Sequence, residues 1–417
     1  MNANHKKSWI LILVFVCVML CTPMSGHAFV LSFGGSLHDP AAVRSSAADV
    51  LYATDRDGGE VKLVGTDSSL LEGTPLDLGM PSVGPDGTVF FGAAFRRNDR
   101  VRWEIFAANP DQHSLSRVAP TSALEMITDP TPLAQSDGSI VFAARDISRG
   151  DGLYRLKNSQ LSCLVRVGTK LDSNHVLRNI GFGSFSAARG EAVAFTGHVT
   201  RVGKAELLVA NGKVTVLAAV GGKAPDGARY RDLGSPAVRG DEVAFPALTD
   251  RGSAVYAYSR GKVGMLLTTG SPCAGGKITY VSQDRLGLGS DGTVVVGAIC
   301  SGSPAIFLVR QSEATMLASA PREPDHTGFV DLDMPSLLET GTVLFSANKG
   351  DGTGLYSIHL NFGSSVTGGA ALPLIPAADS TAAPLHSILT VSLASNEGGR
   401  LAYLGGPVES LASVPSE

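Results

Sequence analysis

Charged residues are scarce in this chain: they make up 17% of its 417 residues, against about 25% in a typical soluble domain. Lysine and arginine, with 34 residues, do not outnumber aspartate and glutamate, with 38, and the formal net charge is -4. Because nucleic-acid-binding surfaces need a basic excess, we expect no nucleic-acid partner. The hydrophobic share of 44% is still large enough for an extensive core, which excludes a chain that is disordered throughout.

Long apolar segments are also missing. The apolar run at residues 10–20 has 11 residues, whereas a membrane-spanning helix needs about 20, and no later run is long enough. Two lysines precede this run, and small residues follow it at the spacing that signal peptidase reads. The sequence therefore predicts a signal peptide over residues 1–28, cleaved after Ala28. We expect a periplasmic or secreted protein with no transmembrane segment after cleavage.

The chain does contain a repeat, with a period of roughly 51 residues. An acidic or glycine turn followed by an apolar run such as GTVFFGA occurs seven times. The central residues of these runs, at spacings of 51, 53, 50, 51, 49 and 58, are Phe91, Phe142, Phe195, Phe245, Val296, Phe345 and Tyr403. A second column with the same period consists of Tyr52, Phe106, Tyr154, Leu208, Tyr256, Phe307 and Tyr356. A third consists of Val64, Val118, Leu164, Leu217, Leu266, Leu317 and Leu374.

The repeated runs predict strands rather than helices, because they are short, rich in Val, Phe, Tyr and Leu, and bounded by Gly, Asp, Asn and Pro. Asp-Gly pairs at 86–87, 137–138 and 291–292, and Asn-Gly at 211–212, favour two-residue hairpin turns since these residues tolerate positive φ. Four strands per period make each repeat one blade of a β-propeller. A solenoid is the alternative, but it needs distinct capping repeats, and the sequence has none that we recognise.

The order of the segments predicts how the ring closes. The chain opens with the third and fourth strands of a blade at 50–65 and ends with a first and second strand at 387–405. We therefore predict an all-β fold, a seven-bladed β-propeller over residues 49–406 with four-stranded blades. Both termini complete the last blade, which removes the open edges of a linear array. Residues 29–48 form a leader segment and residues 407–417 a C-terminal tail in this prediction.

Two repeats carry a motif known from other proteins. Residues 190–195 and 240–245 both read Gly-x-x-x-Ala-Phe, which resembles the exported bacterial tandem-repeat proteins with an Asn-x-x-Gly-x-x-x-Ala-Phe repeat. Ala187 and Ala237 stand where that repeat has Asn. The stretch 136–156 is similar to the propeller repeats of the periplasmic translocation protein of the Tol-Pal system. These resemblances imply an envelope propeller and assign no catalytic residue.

Polar residues recur at the start of the predicted inner strands. Asp77, Thr128, Asp232 and Asp331 each precede a proline by four residues, and Asn179 lies near the equivalent position. These five are the candidate ligand-binding residues, because a polar ring at the mouth of the central channel would suit a cation, a sugar or a peptide. The alternative is that each Asp caps its own loop by accepting hydrogen bonds from backbone N–H groups.

Four arginines, Arg96, Arg97, Arg100 and Arg102, fall within seven residues after a predicted blade strand. Two interpretations are open for this segment. It can grip an anionic group, or it can be a solvated loop in which Asp99 sits among the arginines and their alkyl stems pack locally.

Three cysteines follow residue 28. Cys163 lies in an outermost strand and is expected to be a free, partly buried thiol. Cys273 precedes the first strand of the fifth blade and Cys300 ends its second strand, so alternating strand directions bring the two to the same face. A disulfide between Cys273 and Cys300 would close a loop of about 27 residues and stabilise the blade by roughly 3 kcal/mol. The alternative is that both are reduced.

Motifs of common catalytic sites are absent: residues 29–417 contain no Gly-x-Ser-x-Gly, His-Glu-x-x-His, Walker or Cys-x-x-Cys pattern. We expect no cofactor, no metal and no catalytic residue. The sequence favours a monomeric, non-catalytic binding scaffold for an unknown envelope protein, peptide or glycan. The alternative is a glycan-directed hydrolase or lyase with its site at the channel mouth, since the fold alone does not decide activity.

Overall fold

The described part of the chain begins at the first predicted blade strand. A computed structural model describes residues 50–54, 60–65, 73–187, 192–274, 276–284, 286–320, 331–337, 341–348, 353–362, 366–368, 372–375, 394–395 and 401–405. The predicted signal peptide, leader and C-terminal tail lie outside these residues. Contacts divide the chain into residues 1–42 and 43–417, and every described element belongs to the second unit. Within the described ranges, no helix has the length and hydropathy of a membrane span.

All regular elements of the described residues are β-strands, as the short apolar runs between turn residues predict. In chain order they are β1 (Val50–Thr54), β2 (Glu60–Gly65), β3 (Asp77–Leu78), β4 (Ser82–Val83), β5 (Val89–Arg97), β6 (Arg100–Asn109), β7 (Ser114–Ala119), β8 (Leu124–Ile127), β9 (Leu133–Ala134), β10 (Ile140–Asp146), β11 (Gly150–Lys157), β12 (Gln160–Arg166), β13 (Leu177–Ala187), β14 (Val193–Val199), β15 (Gly203–Ala210), β16 (Lys213–Ala219), β17 (Tyr230–Leu233), β18 (Ala237–Arg239), β19 (Glu242–Thr249), β20 (Gly252–Ser259), β21 (Lys262–Thr268), β22 (Pro272–Cys273), β23 (Gly276–Val281), β24 (Gly287–Leu288), β25 (Val294–Cys300), β26 (Ser303–Arg310), β27 (Glu313–Ser319), β28 (Asp331–Leu337), β29 (Thr342–Asn348), β30 (Thr353–Phe362), β31 (Val366–Gly368), β32 (Leu372–Ile375), β33 (Ala394–Ser395) and β34 (Leu401–Gly405). The prediction of an all-β chain is confirmed for these residues.

Antiparallel meanders follow one another along the described chain. They are meander 1 (β3–β7), meander 2 (β8–β12), meander 3 (β13–β16), meander 4 (β17–β21), meander 5 (β22–β27) and meander 6 (β28–β32). Meanders 1 and 2 are joined into one ten-stranded sheet, in which Trp103 pairs with Ile127. The innermost strands of meanders 1, 2 and 4 are interrupted near Pro81, Pro132 and Pro236, residues that have no N–H to donate to the ladder.

The first and last described strands share one sheet. In this closing sheet the strand order is β2-β1-β34-β33, and β1 and β34 pair from Val50 with Gly405 to Ala53 with Ala402. The predicted pairing of the two ends is therefore present. A series of up-and-down sheets whose last strands pair with its first strands has the topology of a β-propeller. The number of blades stays a prediction.

The aromatic columns of the second and third strands lie directly opposite each other. Phe91 pairs with Phe106 and Phe245 with Tyr256; both pairs are stacked with ring centroids 5.8 Å apart. In meander 3 the partner of Phe195 is Leu207, not the Leu208 of the predicted column. Successive strand residues point to opposite faces, so Leu208 packs toward meander 4 instead.

A β-bulge recurs in the outer strand of each meander and of the closing sheet. At each site the register shifts by one residue and leaves one residue of the outer strand without a direct partner. The bulge residues are Leu63, Val118, Leu164, Leu217, Leu266, Leu317 and Leu374. The third sequence column is thus a bulge column, with Leu63 in place of Val64. Bulges increase local strand twist, so this column sets the same twist in each outer edge.

The Asp-Gly pairs form longer turns than predicted. The N–H of Gly84 donates to the carbonyl oxygen of Thr88 at 2.7 Å, which leaves a three-residue loop between them. Asp86 lengthens the turn because its carboxylate accepts a hydrogen bond from the N–H of Thr88 at 3.0 Å. The other two Asp-Gly loops repeat these contacts. The Asn211-Gly212 turn, with φ of 51° and 71°, is the predicted two-residue hairpin.

Apolar clusters lie between successive sheets. Phe142 of meander 2 belongs to a cluster with Ile105 of meander 1, while its neighbour Val141 belongs to a cluster with Phe195 of meander 3. Both faces of β10 are therefore buried, which explains why the repeated runs are continuously apolar rather than alternating.

One carboxylic acid lies inside this core. Glu206 of β15 is 0% exposed, and neither carboxyl oxygen has a hydrogen-bond partner among the described residues. Burial raises the pKa of Glu206 well above its usual range, and the positive charge of Lys204 offsets only part of this rise. The environment of this side chain therefore favours its protonated form, because an unpaired buried carboxylate is costly.

The buried acid makes stability depend on pH. Above about pH 4.5, the usual value for Glu, the unfolded chain loses a proton that the folded chain keeps. The free energy of unfolding then falls as pH rises, by about 1.4 kcal/mol per unit until the folded pKa is reached. Glu206→Gln removes this loss, so thermal melts should show the variant more stable than the native chain at pH 8, with a smaller difference at pH 4.5.

The control is Glu313→Gln, which changes an exposed glutamate of β27. Its melting temperature should follow that of the native chain at every pH. Parallel curves for Glu206→Gln and the native chain between pH 4.5 and pH 8 would contradict the assignment of a neutral Glu206.

Cys273 and Cys300 are bonded to each other. Their Cα atoms are 6.4 Å apart and 27 residues apart in sequence, within the distance that a disulfide spans. Cys273 ends the short strand β22, which leads into meander 5, and Cys300 ends the second long strand of that meander. The bond therefore ties the entry of meander 5 to its β25 strand.

The bond makes a chemical and a stability prediction. Alkylation of the unreduced protein, followed by mass spectrometry, should modify Cys163 and leave Cys273 and Cys300 unmodified. The double variant Cys273→Ser/Cys300→Ser should lose roughly 3 kcal/mol in the free energy of unfolding, because the unfolded chain is no longer cross-linked. Reductant should lower the melting temperature of the native chain only, and alkylation of all three cysteines would rule the bond out.

Candidate functional site

Four of the five candidate residues occupy one row of the sheets. Asp77 pairs with Ala94, Asn179 with His198, Asp232 with Leu248 and Asp331 with Asn348. Each partner lies three residues after the aromatic residue of its second strand. The four candidate residues therefore occupy the same position along the strands of their sheets, which we call one height. We call them the polar row. They lie near the ends of the sheets that also carry the connections between meanders.

Thr128 lies outside the polar row. The residue that pairs at this height in meander 2 is Met126, opposite Arg145, because Pro132 follows this position by six residues rather than four. Thr128 instead donates its N–H to the carbonyl oxygen of Ala143 at 3.0 Å. In meander 5 the row position is Tyr280, opposite Ile299. No proline follows it by four residues, so the sequence pattern does not indicate it.

The two row aspartates with described side chains both make a backbone contact of the kind that the capping alternative predicts. The carboxylate of Asp77 accepts a hydrogen bond from the N–H of Leu78 at 2.8 Å, and that of Asp232 from the N–H of Leu233 at 2.9 Å. Asp232 also accepts a hydrogen bond from Nζ of Lys204 at 2.6 Å. This ion pair links the third strand of meander 3 to the first strand of meander 4.

The other row members differ in surroundings. Asn179 is exposed in β13, and the side chain of Asp331 lies outside the described residues. Two residues after Asp77 and Asp232 stand Gly79 and Gly234. A Cβ atom at Gly79 would come within 2.5 Å of the carbonyl oxygen of Pro130, and one at Gly234 within 2.2 Å of that of Gln283. The glycines thus let the inner strands of neighbouring meanders approach closely beside the row.

The residues of the polar row do not form one cluster, and each would contact a ligand separately. Its members come from different sheets, and the described side chains are held by backbone N–H groups and by Lys204 rather than by one another. Within the described residues, no group of three or more His, Cys, Asp or Glu side chains is arranged to hold a metal ion. The polar row offers carboxylate and amide groups to a ligand that spans several sheets. Met126 and Tyr280, at the same height in meanders 2 and 5, add a thioether and a phenol.

Cys163 is a free cysteine, but it is exposed rather than partly buried as expected. It lies in a shallow pocket at the outer edge of meander 2, together with Arg149, Arg166 and Thr169. Local burial raises the pKa of the Cys163 thiol, although both arginines favour the thiolate. A thiol whose pKa is raised stays protonated at neutral pH and reacts weakly.

The chain was compared with known proteins. No protein-family model and no curated protein sequence matches it. Solved structures do match: oligogalacturonate lyase from Vibrio parahaemolyticus at 12% identity and a TM-score of 0.49, covering 86% of this chain and 98% of that one. The β-propeller domain of the Trilobed protease from Pyrococcus furiosus has 10% identity and a TM-score of 0.43, covering 70% and 82%. TolB from Acinetobacter baumannii has 12% identity and a TM-score of 0.35, covering 86% and 65%. These similarities assign no activity to this chain.

The ion pair between Lys204 and Asp232 should contribute little to stability. Both side chains are partly exposed, Lys204 by 35% and Asp232 by 57%, and exposed pairs typically contribute 0.2–1 kcal/mol. A double-mutant cycle with Lys204→Gln and Asp232→Asn, measured by urea unfolding, should give a coupling energy in that range that falls as salt is added. A coupling energy above about 2 kcal/mol would mean that the pair is a structural requirement.

Proposed function

We propose that this chain is an exported, non-catalytic β-propeller of seven blades that binds a partner through the polar row. The predicted signal peptide supports export to the periplasm or the cell exterior. Support for seven blades comes from the bulge column, which recurs seven times, once per period, and from the closing sheet that both ends build.

The polar row is the observation that carries the binding function. Asp77, Asn179, Asp232 and Asp331 pair at one height in separate sheets, so a ligand lying across the sheets can contact several of them at once. The contacts of the two aspartates with backbone N–H groups orient their carboxylates before a ligand arrives, which lowers the ordering cost of binding. An envelope protein, a peptide or a glycan with hydrogen-bonding groups fits this description.

The proposal is tested with purified residues 29–417, immobilised and offered an envelope extract and a panel of glycans. The row variant carries Asn179→Ala, Asp232→Asn and Asp331→Asn. The row variant should retain at most about one fifth of the amount of any envelope protein or glycan that the native chain retains, because several weak contacts are lost together.

A matched control changes three exposed residues at the opposite ends of the sheets: Asp241→Asn, Glu313→Gln and Gln160→Ala. It removes the same number of carboxylates and amides and should retain the partner as the native chain does. Equal retention by the row variant and the native chain would reject the row as the binding site. Shortened glycan products that the native chain forms and the row variant does not would establish an enzyme instead.

A further inference from the structure

One hairpin departs from the repeat. In meanders 2 to 5 the pairing of the second and third strands extends four residues beyond the column residue of the second strand. In meander 2, for example, the column residue is Phe142 and the last pair is Asp146 with Gly150. In meander 1 the last pair is Arg97 with Arg100, six residues after Phe91. Two additional residues in each arm lengthen the hairpin by about 7 Å. The arginine segment, for which the sequence left an anion-binding segment and a solvated loop as alternatives, is therefore a two-stranded β-ribbon. We call residues 95–102 the ribbon.

The ribbon carries the densest positive charge among the described strands. Residues 96–102 contain four arginines and one aspartate, a net charge of +3. Since the whole chain has a net charge of -4, the remaining residues sum to -7. The tip is a two-residue turn of Asn98 and Asp99, with φ of 49° and 58°, and both residues are exposed.

Three of the arginines share one face of the ribbon. Residues directly opposite in an antiparallel pair lie on the same face, and the register pairs Arg97 with Arg100 and Phe95 with Arg102. Phe95 is buried at the base of the ribbon, and the guanidinium carbon of Arg97 lies 5.7 Å from the centre of its ring. Arg97 is therefore held over an aromatic face while Arg100 and Arg102 reach into solvent.

The arrangement places like charges side by side. Arg97 and Arg100 are directly opposite, which destabilises an isolated strand pair. Among the described residues, no ion pair joins Arg100 or Arg102 to a carboxylate. The nearest acid on the same face of β6, Glu104, is paired with Arg117 at 3.6 Å. An anionic ligand would supply a counter-charge to Arg100 and Arg102.

We propose that the ribbon binds a linear polysaccharide whose sugars carry carboxylate or sulfate groups. Guanidinium groups bind both anions through two parallel hydrogen bonds, and a chain that repeats its charges can engage Arg100 and Arg102 in turn. The inference goes beyond the proposed function, because it adds a binding site outside the polar row and names the ligand class of that site.

Two other anionic partners fit the ribbon less well. A stable protein interface buries about 800 Å² on each partner, far more than a two-stranded tip presents. A membrane surface would meet the polar tip of Asn98 and Asp99 first, where membrane-bound segments place apolar residues.

The test measures binding of purified residues 29–417 to alginate, which carries carboxylates, and to dextran sulfate. Neutral dextran and phosphatidylglycerol vesicles complete the series. We expect binding to alginate, dextran sulfate or both, none to neutral dextran, and affinity that falls as salt rises. The double variant Arg100→Gln/Arg102→Gln should lose at least tenfold in affinity.

The matched control is Lys213→Gln/Lys262→Gln, which removes two exposed charges from turns at the opposite end of the sheets. It should bind as the native chain does. Arg100→Lys/Arg102→Lys keeps the charge without the planar fork, should bind between the two, and serves as the test if the glutamine variant fails to fold in a thermal melt.

Absence of binding to both polyanions, equal losses in the ribbon and control variants, or binding to vesicles alone would each overturn the inference. Partner retention that depends on the polar row, without polyanion binding, would leave the proposed function standing and reject only the ribbon. Glycan cleavage by the native chain would reject the proposed non-catalytic function. A tenfold loss of polyanion affinity in Arg100→Gln/Arg102→Gln would still support the ribbon as the polysaccharide site.

Discussion

Burial of both faces of each sheet is the constraint on which the rest of this structure depends. In β10 the residues Ile140 and Phe142 pack toward meander 1, while Val141 and Ala143 pack toward meander 3. Because neither face meets water, the second strands are apolar at successive positions. The same requirement returns in meanders 1 to 5, since each of them shares an apolar cluster with the sheet on either side. The repeat in the sequence is a consequence of this packing.

The ends of the strands escape this constraint. Hairpins and connections lie beyond the apolar clusters, so their sequence can change while the sheets beneath them stay packed. The ribbon of meander 1 illustrates this freedom: two additional residues in each arm carry arginines outward, while Phe91 and Phe106 keep the pairing found in the other meanders. The polar row occupies the same kind of position, at the boundary between buried strand and open end.

Periodicity predicted the strands, the aromatic columns and the pairing of the two ends, because these follow from which residues are buried. It could not predict effects of a single residue. A shift of one residue exchanges the faces of a strand, and the regular pairing of β14 with β15 places Leu207 rather than Leu208 opposite Phe195. Thr128 lies outside the polar row because Pro132 follows the row position, Met126, by six residues rather than four. Four row members were found from sequence, but the Lys204–Asp232 contact joins separate sheets and leaves no local pattern.

Glu206 and Asp232 show how sharply the environment changes beside the polar row. Lys204 and Glu206 lie two residues apart in β15 and so share the face toward meander 4. Lys204 reaches outward to Asp232, whereas Glu206, two residues further into the strand, is enclosed and keeps its proton. The lysine charge is thus directed to the exposed acid, and the buried acid stays neutral.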